Sequence, residues 1–426
     1  MVIKHLIIVL FLFLSSCVIG PVKELKQQIE DEWSDDAPRN PSPLVELPNH
    51  FESKLIWQVD LGNNILPSQH VSSCSDKVFA SNADSEVLAI DKNNGQILWT
   101  VVLDSNVSTG ISCDEKNIYF GANDGFAISM NHEGKLLWKN LIGLVNTPPL
   151  VVNDSVIFKT VDFLFFSLKT VNGFKNWSYQ SPTPPLTIKS WGGLNYSEGI
   201  IYSGLPSGKC VAINLETGEL IWETTYSQPK GTSDIERAND STSKPVFDDS
   251  FLYIISSHGN LVALDKKNGL EIWSRKLSSF YGISIFNENI IVIHNSSALY
   301  SISKDTSKVL WRNSDYIERD LKEIIIFDKY ILVGDFNGYI HFIDHSSGKS
   351  FSRFKVSSDA INQIYIDKSN NNILWLDKAG ELAMIQIRNT NISIKEKNNS
   401  EDLAIDLQDN QKENEKSLID DLIFWD

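Results

Sequence analysis

The chain is predicted to be all-β: an eight-bladed β-propeller of four-stranded antiparallel blades, closed by pairing an N-terminal strand with the C-terminal blade. Three observations lead there. A unit recurs at roughly forty residues from about Lys54 to Ile387, the periodicity of a propeller blade. Each copy ends in a strand marked by an aromatic residue, with a glycine turn just before it. The two ends of the repeated region are complementary, one supplying a strand that the other lacks.

In chain order, "MVIKHLIIVLFLFLSSC" has a basic start at Lys4, an apolar run from Leu6 to Leu14, and small Ser15 and Ser16 before Cys17. This is the layout of a secretory signal, shorter than a membrane-spanning helix requires. Leu14-Ser15-Ser16-Cys17 resembles a bacterial lipoprotein box. That resemblance implies cleavage after residue 16 and lipidation of Cys17; a non-lipidated secreted or inner-membrane form is the alternative. Each buried acyl CH₂ contributes about 0.8 kcal/mol, so several chains hold a protein at a bilayer. Val18 and Ile19 replace the aspartate that in many such lipoproteins signals inner-membrane retention. The expected location is therefore the periplasmic face of an outer membrane. Residues 17–50 read as an acidic tether, because Pro38, Pro41, Pro43 and Pro48 oppose a continuous helix or central strand.

The propeller is assigned to residues 51–387. Compare "KVFASNADSEVLAIDKNNGQILWT" (77–100), "GIIYSGLPSGKCVAINLETGELIWET" (199–224) and "FLYIISSHGNLVALDKKNGLEIWSR" (251–275). Each shows a β-rich strand, a polar turn, an alternating strand, a glycine turn and a strand carrying tryptophan. The marker residues are Trp57, Trp99, Trp138, Trp177, Trp222, Trp273 and Trp311, with Phe354 assigned to the eighth place. Their rings are expected to fill the wedges between blades, with the preceding glycines opening the turns and Asp91, Asp265 and Asp344 accepting turn amides. "SKLIWQVDL" (53–61) is an outer strand without preceding partners, and 364–387 supplies inner strands without an outer one. Joining them makes eight blades, favoured over seven, and removes two exposed sheet edges.

Composition narrows the function. The 54 acidic against 38 basic residues give a formal charge of −16, which repels nucleic acid. The histidines fall in no zinc-type spacing, and neither a GxSxG elbow nor a GxxxxGK[ST] loop is present, so no catalytic residue, metal site or cofactor is assigned. Cys74 and Cys113 hold matching places in successive units. Blade spacing reads as too wide for a bridge, which needs Cα atoms within about 7 Å. They are therefore expected, with Cys210, as buried thiols, one pair being the alternative. The repeat also resembles that of quinoprotein alcohol dehydrogenases, which implies a dehydrogenase as the alternative function. This chain lacks their vicinal cysteines and an assignable calcium set.

Two segments break the repeat: "SPTPPLTIKSWGGLNYSEG" (181–199) and "KGTSDIERANDSTSKPVF" (230–247). They lead into consecutive units, so both should emerge on one face. Leu186 and Ile188 beside Lys189, next to an acidic loop, combine an apolar anchor with orienting charge, as a recognition surface does. The bland reading is that Leu186 and Ile188 begin an inner strand. The second segment, the segment "LVGDFNGYIHFIDHSSGKSFSRFKV", the repeat and the lipobox together resemble the BamB family of outer-membrane assembly lipoproteins, over about Lys54 to Ile387. The resemblance implies a non-enzymatic scaffold whose two loops bind the periplasmic domains of a central barrel subunit, assisting folding and insertion of outer-membrane proteins, with unfolded outer-membrane clients as a further candidate partner. Family contact residues carry over onto Leu186, Ile188 and Lys189, the last in place of an arginine. Asp240 matches the first of two acids, the second falling at Thr242, and Arg237 matches a loop arginine. A general periplasmic binding propeller is a further alternative. Residues 388–426 are Asn-rich and acidic, the composition of a disordered tail; Leu422, Ile423, Phe424 and Trp425 near its end form a candidate docking motif.

Overall fold

The computed structural model describes residues 40–48, 50–62, 65, 70–182, 192–227, 243–367 and 370–389. Eight four-stranded antiparallel sheets follow one another around a ring. Blade 1 spans Ser72–Cys74 to Ile97–Val102, blade 2 Ser112–Cys113 to Leu136–Leu141, blade 3 Leu150–Val152 to Lys175–Gln180 and blade 4 Leu194–Ser197 to Leu220–Thr225. Blade 5 spans Val246–Phe247 to Glu271–Lys276, blade 6 Ile283–Phe286 to Val309–Asn313 and blade 7 Lys322–Phe327 to Ser350–Lys355. Blade 8 takes Ile361–Asp367, Asn372–Asp377 and Glu381–Asn389 from the end of the chain and its outer strand, Phe51–Asp60, from the start. The predicted closure is thus observed, with the last strand reaching two residues beyond the expected boundary.

In each blade the first strand lies at the axis and the fourth at the rim. The middle strands are packed between blades on both faces, so they read as continuous apolar runs; Val78, Phe79 and Ala80 are all fully buried. The ring has two faces. The loop face carries the connections between blades and the turns between second and third strands; the hairpin face carries the other two sets of turns.

The seams between blades repeat one device. The indole Nε1 of Trp57, Trp99, Trp138, Trp177, Trp222, Trp273 and Trp311 each donates to a backbone carbonyl in the turn between the third and fourth strands of the next blade, at 2.7 to 3.1 Å. Before each tryptophan one residue of the outer strand is bulged, and the bulge turns the ring toward the seam. A turn glycine lies against the ring of six of these tryptophans, and Ser307, at φ +57°, holds that turn position beside Trp273. At Gly348, with φ +68°, a Cβ would lie 2.4 Å from Trp311. Asp91, Asp265 and Asp344 accept turn amides as expected.

The eighth marker is a correction. Counting from Gly348 and from the bulge, the tryptophan place in blade 7 is held by Ser352, paired with Phe342; Phe354 lies two residues further on. In blades 1 to 6 the residue opposite the ring is small, as at Ala89, Ser129 and Ala263, so blade 7 inverts the large and small partners of those blades. Buried Phe342 fills the wedge with Phe51 and Phe354, at ring centroid distances of 4.7 and 5.3 Å. The reason is topological. Blade 8 borrows its outer strand from the N-terminus, so it has no turn between third and fourth strands to accept an indole N–H.

The cysteine expectation is also overturned. Cys74 and Cys113 are joined by a disulfide, their Cα atoms 6.2 Å apart. Blades are wedges that converge on the axis, and both residues lie on innermost strands, where the seam is narrowest. Cys210 is the buried free thiol among the described residues, its pKa pushed up by burial. The tether meets the ring before residue 50. The Val45 carbonyl accepts from Arg353, and His50 stacks on Phe351, so this stretch lies along the outer strand of blade 7.

Candidate partner-binding face

Blades 4 and 5 receive the two loops that break the repeat. Their described ends meet on the loop face. The inner strand of blade 4 begins at Leu194, beyond Leu186 and Ile188. Asn195 Nδ2 donates to the Pro245 carbonyl at 2.8 Å, and a Cβ on Gly193 would lie 3.3 Å from that of Lys244. The end of the first loop is therefore packed against the end of the second. Buried Lys159, from blade 3, donates to the Gly192 carbonyl and stands 3.5 Å from both Ser203 Oγ and the Gly204 carbonyl. The start of the second loop is held by the turn before the third strand of blade 4, where the amides of Tyr226 and Ser227 donate to the Gly208 carbonyl. Gly208 has φ +65°, and a Cβ there would lie 1.9 Å from the Ser227 carbonyl oxygen, so no larger residue fits.

Leu186, Ile188, Lys189, Arg237 and Asp240 lie outside the described residues, as do Cys17 and Leu422, Ile423, Phe424 and Trp425. What the fold brings together is the roots of the two loops, with a neighbour that sequence reading missed. Phe280, in the loop leading into blade 6, is 43% exposed and packs edge-on against His258 at 5.3 Å between centroids. The same loop touches the root through Gly282, where a Cβ would lie 3.1 Å from that of Ser243. A lone phenylalanine after "KLSS" carries no repeat-breaking signal, so only its placement reveals it.

The mouth of the axial channel opens on this face. Asp320 accepts from the Tyr281 hydroxyl at 2.7 Å, and its other oxygen lies 3.7 Å from Lys322 Nζ and 3.6 Å from Lys378 Nζ. Burial holds Lys322 below the usual lysine range; Asp320 opposes the shift and Lys378 adds to it. One carboxylate shared by two ammonium groups is a poor donor set for the divalent cation of a quinone site, which takes several oxygen ligands. The residues present do not fit that cofactor. Among the described residues no three His, Cys, Asp or Glu side chains converge as a metal site.

Behind this face lies a buried charge cluster. Arg319 donates through Nε at 2.9 Å and Nη2 at 2.6 Å to Asp335 Oδ2, and His341 Nε2 meets the same oxygen at 3.0 Å. Asp335 Oδ1 accepts the amides of Asn337 and Tyr339. The cluster pins the loop before blade 7 to the turn in the "GDFNGYIH" segment.

Tryptophan-docked blades around a central axis, with the two interruptions of the repeat rooted together on one face, define a repeat propeller. A family profile described as outer membrane protein assembly factor BamB matches residues 53–142 and 83–313. The chain belongs to the BamB family. Relatives of that name in Burkholderia pseudomallei and Bordetella pertussis are 29% and 28% identical, over 76% and 77% of this chain and 86% of each relative. The crystal structure of BamB from Moraxella catarrhalis superposes with a TM-score of 0.71 at 20% identity, covering 79% of this chain and all of that one. Quinohemoprotein alcohol dehydrogenase from Comamonas testosteroni gives a TM-score of 0.63 at 12% identity, over 78% of this chain and 76% of its own, a likeness of fold alone.

Proposed function

We propose that this chain is a non-enzymatic scaffold lipoprotein of the machinery that assembles β-barrel proteins in the outer membrane. Lipid on Cys17 holds it at the periplasmic face. Its loops leading into blades 4 and 5 grip the periplasmic domains of the central barrel subunit. The observation that supports this reading is the common root, Gly193 and Asn195 on one side and Lys244 and Pro245 on the other, where the described ends of the two segments meet. Family membership and the names of the relatives point to the same process. In this reading Leu186 and Ile188 supply desolvated contact, and Lys189, Arg237 and Asp240 set orientation.

The test is a binding titration of the Lys189→Glu and Asp240→Lys variants against the purified periplasmic domains of the barrel subunit, with thermal unfolding in parallel. Reversal at a buried interface pair costs about 2 to 5 kcal/mol, a loss of roughly 30-fold or more, whereas exposed loop positions change stability by less than about 0.5 kcal/mol. Unchanged affinity with unchanged melting would remove this interface from the reading.

A further inference from the structure

The axial channel holds a cavity of about 270 Å³ lined by Val71 to Cys74, Ser112, Cys113, Pro149, Val151 and Tyr365, the innermost strands of blades 1, 2, 3 and 8. The Cys74–Cys113 disulfide forms part of its wall, both cysteines being half-buried. From the geometry we infer that this disulfide is a thiol-exchange site, open to cysteine- or glutathione-sized thiols through the channel while the ring stays folded.

Access and partial burial set its reactivity. A disulfide is cut by a thiolate that reaches one sulfur in line, so a sulfur facing an open cavity exchanges while one fully enclosed in a core does not. The wall around the sulfurs is hydroxyl-bearing and apolar, from Ser72, Ser73, Ser112, Pro149 and Val151, and Tyr365, 37% exposed, stands on the inner strand of blade 8, beside blade 1. Exchange is balanced as follows. The attacking thiolate bonds to one cysteine sulfur, and the other leaves as a thiolate that takes up a proton. A second small thiol then attacks the mixed disulfide, releasing the dithiol protein and the oxidised small disulfide. The reverse sequence, with a small or enzyme-borne disulfide as oxidant, restores the bond.

The seam survives the loss of the bond. Ser72 Oγ still donates to the Ile111 carbonyl, and Cys74 and Cys113 still pack in the cluster around Phe79, Ile118 and Phe120. Ring closure lies elsewhere, in the nine paired positions between Phe51–Asp60 and Glu381–Asn389. Reduction therefore loosens the two-residue inner strand of blade 2 without opening the ring.

Folded full-length protein is incubated with reduced glutathione at pH 8, quenched with acid and read by intact mass, alongside hydrogen exchange. The expected result is an adduct of one glutathione, then a dithiol protein, at a rate first order in thiol and unchanged by sub-denaturing urea. Tyr365→Ala, which widens the cavity, should raise the rate several-fold, and Tyr365→Trp should lower it. After reduction, exchange should rise at Ser112 and Cys113 and stay unchanged in the blade 8 outer strand. Reaction only at denaturant concentrations that unfold the ring, or rates indifferent to both Tyr365 variants, would overturn the inference.

Discussion

Replacing Asp335 with Ala tests what the buried cluster contributes. The carboxylate is fully buried and Arg319 nearly so, with side-chain exposures of 0% and 5%. Removing one member of such a pair leaves the other charge buried and unpaired, a cost of about 3 to 5 kcal/mol. For a ring of roughly 340 residues, an unfolding entropy of about 2.1 cal/mol/K per residue gives about 0.7 kcal/mol/K, so Tm should fall by about 4 to 7 °C. Replacing the pair together, Arg319→Met with Asp335→Leu, should cost less than the two single losses combined, since no charge is left without its counter-charge, although the Nε2–H of His341 and the amides of Asn337 and Tyr339 still lose their acceptor. The assay is reversible denaturant unfolding of the two single variants and the double. Additive costs in the double would refute the argument from an unpaired charge.

The same cluster sets a pH dependence. Asp335 Oδ2 can only accept, so Nε2 of His341 carries the proton, and Nδ1 has no partner among the described residues. Burial holds the imidazole pKa below its usual value, with Asp335 partly opposing. Burial pushes the Asp335 carboxyl up, but hydrogen bonds from His341, the Tyr339 amide and Arg319 more than offset this and leave it low. A histidine with a lowered folded pKa contributes stability above about pH 6.5, and loses it as pH falls from there through the folded value. Asp335 contributes above the unfolded carboxylate pKa of about 3.9 and loses its contribution below it. Stability should therefore fall in two stages on acidification, and His341→Gln should diminish the first, to which His70, also held low by burial, contributes in the same direction.

The inverted pair in blade 7 should behave non-additively. Phe342→Ala should cost about 3 to 5 kcal/mol and Ser352→Trp about 1 to 3 kcal/mol by overpacking, whereas the double, which restores the large-over-small pairing of blades 1 to 6 without its indole acceptor, should cost less than their sum in denaturant unfolding. Gly348→Ala combines a left-handed residue with a clash on Trp311 and should cost about 2 to 5 kcal/mol. Gly199→Ala, at φ +81° with nothing within 4 Å, should cost about 1 to 2 kcal/mol; equal losses in thermal melts would count against the ring contact.

Much of the fold was legible because its determinants are local. The turn and the strand it feeds lie within ten residues, as Asp91, Gly95 and Trp99 do in blade 1 and Asp265, Gly269 and Trp273 in blade 5, so the device is visible in the sequence even where Asn131 or Asn214 takes the aspartate's place. Closure was legible because a strand missing at one end and spare at the other leaves one solution. The candidate site was legible only as two interruptions of the repeat. That their roots meet, Asn195 on Pro245, depends on blades 4 and 5 being neighbours on one face, and Phe280 joins them only in space.

By itself, then, the sequence determined the repeat, the number of blades, the closing strand and which loops depart from the pattern, because these rest on periodicity and on contacts within a hairpin. Tertiary structure alone decided the Cys74–Cys113 bond, the exchange of large and small side chains between Phe342 and Ser352, and the meeting of Arg319 with Asp335. Each depends on how wedge-shaped sheets converge: the separation of two matching residues in adjacent blades is set by their distance from the axis, and that distance is written in the assembled ring.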